Sequence, residues 1–150
     1  MSAIRTALTG LVTRIESITP DTSYDRTGAF AYDSRAFDVE DLQHTRQFVV
    51  LDLGAREQVG SQGARNSPSE YIASCEIGIV YDSGSDADEI RKVLAEDIDR
   101  IRYTLQDPTY AATDGAIYRT VGEALVELPD GEDSQVILTV PVAVRYRPSF

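Results

Sequence analysis

The sequence predicts an α+β fold, a mainly antiparallel β-sheet of four to five strands packed with two α-helices. Three stretches carry that prediction. In residues 71–81, Tyr71, Ala73, Cys75, Ile77, Ile79 and Tyr81 take every second position, which puts them on one face of a strand. In residues 86–105, Ile90, Val93, Leu94, Ile98, Ile101 and Leu105 recur at spacings of three and four, the apolar stripe of a helix. In residues 136–146, Val136, Leu138, Val140, Val142, Val144 and Tyr146 again alternate. The first two stretches adjoin, so a helix is laid across a sheet.

Taken in order, the chain opens with a helix. Ile4, Leu8, Leu11, Val12, Ile15 and Ile18 share one helical face, Ser2 is available as N-cap, and Pro20 stops the run. Its stripe must pack on this sheet or on a neighbouring subunit. Residues 21–45 scatter Tyr24, Phe30, Tyr32 and Phe37 among Asp, Ser, Gly and Arg, and a short strand is expected near 37–39. Such aromatics either anchor a loop to its own domain or meet another subunit. Residues 46–53 form a strand whose continuous run Phe48, Val49, Val50, Leu51 is typical of burial on both faces.

Residues 54–68 read as a long loop, glycine-rich and carrying Arg56, Gln58, Gln62, Arg65 and Asn66. Loops of this length are usually functional or disordered. The spacing of Gly54, Gly60 and Gly63 fits no phosphate-cradling pattern. In so acidic a chain, two guanidiniums at a loop tip suit pairing with carboxylates of an adjacent partner. Those five polar side chains are the expected partner-binding residues.

After the central strand, Ser85 is a plausible N-cap with Asp88 three residues on, and Asp86, Asp88 and Glu89 complement the helix dipole. Glu96 with Arg100 and Asp88 with Lys92 are favourably oriented i,i+4 pairs, worth roughly 0.2–0.5 kcal/mol each. Residues 106–116 read as a loop and 117–128 as one strand. Residues 129–133 signal a turn. Pro141 removes a ladder donor from the last strand, so an edge position or a bulge is expected there.

The 150 residues suit one domain spanning 1–150, which would bury on the order of 70% of its unfolded surface. A net charge of -11 argues against a duplex-gripping surface, since such binding rests on Lys and Arg at phosphates. With one Cys and one His, neither a disulfide nor a Cys/His metal site can be built. Cys75 reads as a small buried hydrophobe and His44 as a lone surface imidazole. Asp82, Asp86 and Asp88 fail as a calcium loop because Val93 stands where a bidentate Glu belongs. No catalytic constellation and no cofactor is expected. No apolar run reaches the ~20 residues of a membrane span, and Arg5, Arg14 and Glu16 in a clean helical period are unlike a secretory signal.

This layout resembles the tail terminator proteins of long-tailed bacteriophages and related tailed particles. The likeness rests on the N-terminal helix at 4–18, the strand at 46–53 with its long loop, and the Val80-Tyr81 strand end leading into the helix at 86–105. A final hairpin closes it with the Val-rich strand 136–146, which ends in Tyr. Residues 21–45 are longer than in the compact members.

The resemblance implies a structural virion protein, assembled in the host cytoplasm. It implies a hexameric ring that caps the tail tube, ends its elongation and meets a neck or head-completion protein, with DNA passing the channel without specific binding. A neck or head-closure protein is one alternative. A small α+β ligand-binding domain with a pocket between helix and sheet is another.

Overall fold

A computed structural model describes residues 2–20, 29–59, 70–82, 87–128 and 135–148. One six-stranded sheet carries helices on one face. Its elements are α1 (Ala3–Glu16), β1 (Ala31–Tyr32), a single 3-10 turn (Val39–Asp41), β2 (Gln47–Val59), β3 (Glu70–Asp82), α2 (Ala87–Gln106), α3 (Pro108–Thr113), β4 (Tyr118–Val121), β5 (Leu125–Glu127) and β6 (Gln135–Tyr146). The strand order is β1-β2-β3-β6-β4, with β5 also paired to β6, and only the β1·β2 pair is parallel. The predicted class holds.

The three organising stretches do what their periodicities require. Ala73, Cys75, Ile77, Ile79 and Tyr81 of β3 lie buried beside Val136, Leu138, Val140, Val142 and Val144 of β6, in register, as one apolar surface. The stripes of α1 and α2 close over it through Ala7, Leu11, Ile15, Ile90, Val93, Leu94, Ile101 and Leu105. Ser2 caps α1, its Oγ accepting from the Arg5 backbone N–H at 3.4 Å. The pairs Asp88–Lys92 (3.0 Å) and Glu96–Arg100 both form. The proposed cap at Ser85 and Asp86 lies outside the described residues.

Four sequence expectations need correction. The strand expected at 37–39 is a 3-10 turn, because Asp38 and Asp41 satisfy the local backbone N–H groups and hold it tight. A strand does occur nearby, at Ala31–Tyr32.

Residues 106–116 contain the short helix α3, begun by Pro108 at a position where its missing N–H costs nothing.

Residues 117–128 form two strands rather than one, and Pro141 is the reason. β6 is interior, between β3 and the β4/β5 margin, so of the two expectations at Pro141 the edge fails and the irregularity holds, residues 122–124 standing opposite 140–141. Its carbonyl accepts from Gly122 at 2.8 Å, toward that margin. An antiparallel residue aims both backbone groups to one side, so the missing donor faces the same gap. The neighbouring strand breaks there into β4 and β5, and a Cβ on Gly122 would come within 2.9 Å of the Pro141 ring.

The fourth correction concerns residues 54–68. β2 continues through Gly54 to Val59, so the first six positions of the expected loop are strand.

Candidate functional site

The extension of β2 moves two of the expected partner-binding residues. Arg56 and Gln58 sit on the β2 ladder opposite Ala73 and Tyr71. Gln62, Arg65 and Asn66 lie outside the described residues. The register jumps between Asp52 and Arg56, where Leu53, Gly54 and Ala55 bulge outward and Gly54 takes φ +84°. Only glycine adopts that conformation without strain. The bulge brings Asp52 and Arg56 onto one side, two ladder positions apart on β3.

Arg56 is therefore not a free guanidinium. Nη1 donates to Asp52 Oδ1 at 2.7 Å, Nε donates to the Tyr146 hydroxyl at 3.0 Å, and Nη2 also pairs with Asp52. The Arg56 hydrogen bond holds the Asp52 carboxyl below its usual range, although partial burial opposes it. In turn the Asp52 carboxylate raises Arg56.

The two margins of the sheet are finished differently. On the β4 margin, α2 supplies side chains to the backbone. Val121 N–H donates to Gln106 Oε1 at 2.9 Å, and Arg102 donates to the carbonyls of Val121 and Gly122 at 2.9 Å each. Those groups are consumed, so no further strand can add at Val121. The β2 margin carries only β1, paired at Gln47 and Phe48, among the described residues. From Asp52 to Gln58 every residue of β2 is exposed. Among the described residues this stretch of edge has no pairing strand.

Between α1 and that margin lies a groove of ≈ 530 Å³. Ile4, Leu8 and Val12 of α1, the half-buried side of its stripe, form one wall, with Tyr32 and Val50 opposite and Arg5, Glu16 and Asp52 on the rim. The helix stripe was legible; that the sheet leaves part of it uncovered was not.

Two buried ionic clusters lock the body. Asp97 of α2 is fully buried and accepts from Arg46 at 3.0 and 3.1 Å and from the Tyr81 hydroxyl at 2.7 Å. Burial raises the Tyr81 phenol well above its ordinary value, and the neighbouring Asp97 carboxylate adds to that. Arg46 stands at φ +64°, its N–H donating to Val80 at 2.8 Å.

At the other end, Asp114 accepts from Arg14 at 2.9 and 3.0 Å and from Arg119 at 2.9 Å. Burial pushes the Asp114 carboxyl up, but the two arginines outweigh it and hold it below the usual range. Arg14 also covers the Tyr110 ring at 3.9 Å.

Sequence reasoning missed both clusters. The available signal was Asp97, an acid between Leu94 and Ile101 on an otherwise apolar stripe.

The residues weighed for chemistry lie apart. His44 is exposed in the turn before β2, and Cys75 is buried with its thiol pushed up to about 11, chiefly by burial. Among the described residues no group of His, Cys, Asp and Glu is arranged to hold a metal ion, and no helix is long and apolar enough to cross a membrane. Compared with known proteins, the chain matches no family model and no curated protein.

Proposed function

We propose that this chain is a tail-terminator-type structural protein, a subunit of a hexameric ring that caps a tail tube and joins it to the head or neck. One observation carries the reading furthest: the sheet has two unlike margins, β4 capped by Arg102 and Gln106 and β2 with no pairing strand beyond Phe48 among the described residues. Unlike surfaces on opposite sides of a subunit suit head-to-tail contacts, and such contacts close into rings when the rotation allows. The order of elements also agrees with the family pattern, from α1 through the long β2–β3 pair into α2 and the Val-rich β6. A net charge of -11 suits a channel that DNA slides through without being gripped.

Residues 60–69, which join β2 to β3 and include Gln62, Arg65 and Asn66, together with Gln58 are the proposed contact to the adjacent ring or tube protein. Arg56 is bound to Asp52 and Tyr146 of its own chain and is left out of that contact. Replacing 60–69 by a tight Asn-Gly turn tests this. Stable protein with overlong or unjoined tails is the expected outcome; normal assembly at wild-type stability would remove the docking role.

A neck or head-closure position differs only in which end of the tail the ring occupies. The small-ligand alternative draws on the groove beside α1. It predicts a monomer whose melting temperature rises with a small apolar ligand.

A further inference from the structure

We infer that the groove beside α1 receives the Phe37 side chain of a second copy of this chain, forming the contact between neighbouring subunits. The inference rests on the ring reading only for how many copies close.

Phe37 is 91% exposed, the most exposed large hydrophobic among the described residues. It is also held rigidly. Its N–H and that of Asp38 donate to Asp41 Oδ2 at 3.0 and 3.2 Å, and Val39 N–H donates to Asp38 Oδ1 at 2.6 Å. Beneath the turn, Leu42 is buried with Val49 and Val80, and Val39 and Ala36 pack on them. Because the turn's backbone is pinned, only the ring's own two side-chain torsions remain to be ordered when it docks. Rings presented this way are typical anchors of protein interfaces.

Knob and groove cannot meet within one subunit. The turn packs on the sheet face opposite the helices, where Val39 lies 3.2 Å from a Cβ placed on Gly78. The groove lies on the helical face. Docking must therefore join two copies, either reciprocally about a two-fold axis or head-to-tail, and only the head-to-tail form builds a ring.

Charge chooses the occupant. Of the three charges on the groove rim, Asp52 is paired with Arg56 and Glu16 accepts from the Tyr32 N–H, whereas Arg5 has no carboxylate partner among the described residues. Phe37 is followed by Asp38, Glu40 and Asp41, whose carboxylates would meet that guanidinium as the ring enters between Ile4, Leu8, Val12 and Tyr32.

The test uses the full chain. Sedimentation over a concentration series should show self-association that Phe37→Asp weakens roughly thirty-fold, the size of a hot-spot loss. Arg5→Glu should weaken it too, and Glu40→Arg added to Arg5→Glu should restore it. Arg35→Cys and Thr9→Cys chains, substituted beside the ring and on the groove lining with Phe37 and Leu8 kept, should form a disulfide when mixed and neither should do so alone, Cys75 being buried. Association untouched by Phe37→Asp overturns the contact and leaves the ring reading standing. A chain that stays monomeric and gives no 35–9 cross-link also overturns it. A specific cross-link confined to open chains or dimers upholds the contact and defeats the six-fold ring.

Discussion

The first and second halves of β2 share one ladder to β3 and little else. Up to Leu51 the strand is core. Phe48 is buried under the helices, Val49 is buried on the other face with Leu42 and Val80, and Arg46 just before it is clamped to Asp97. Beyond Asp52 the strand is surface, bulged at Gly54 and stitched by Asp52 and Arg56. Backbone pairing alone thus extends a strand well past the point where burial stops supporting it. The buried half fixes the fold, and the exposed half offers an edge to whatever lies outside it.

The sharpest way to break the comparison is to attack the clamp. Asp97→Ala removes the buried carboxylate that accepts from both Arg46 and the Tyr81 hydroxyl, which should cost about 3–5 kcal/mol in denaturant unfolding. A loss below 1 kcal/mol would mean that this half is not held as described. Next comes a matched pair of truncations. Phe48→Ala should cost about 3–5 kcal/mol, whereas Leu53→Ala, at 57% exposure, should stay within about 0.5 kcal/mol. Equal losses would erase the distinction between the halves.

Smaller effects sharpen the picture at the bulge. A Cβ on Gly54 would touch nothing within 4 Å, so Gly54→Ala probes the left-handed backbone alone and should cost about 1–2 kcal/mol. A neutral result would place the bulge elsewhere. Smallest is the surface stitch: Arg56→Ala should lose less than about 1 kcal/mol.

Acid titration follows the same logic. Asp52 and Asp114 both have folded values held below the ordinary range, so their contributions are complete above the unfolded value near 4 and fade as pH falls through the lower folded value. The fold should therefore lose stability below about pH 4. In Arg56→Ala the part due to Asp52 should shrink, the Gly54 N–H still donating to it, while the part due to Asp114 remains.

Regular burial is what the sequence made legible. α1, α2, β3 and β6 each repeat an apolar residue at the period of their element, so their faces could be read directly. The second half of β2 has no such repeat. Gly54 and the polar run Arg56, Glu57, Gln58 carry loop chemistry, and only pairing with β3 makes them strand. The break between β4 and β5 was hidden because its cause, Pro141, lies on the neighbouring strand. The groove depends on how far β1 and β2 reach beneath α1, a tertiary fact. Phe37 was visible as an aromatic in a polar segment, but not its exposure or its pinning by Asp41.

The measurement that bears most directly on the proposed ring is electron microscopy of the protein in its assembled form. The account predicts a closed six-fold ring about as wide as a tail tube, with the open β2 margin and the α1 groove at each subunit boundary. A single copy per particle, an open filament, or boundaries that leave both surfaces facing solvent would contradict it.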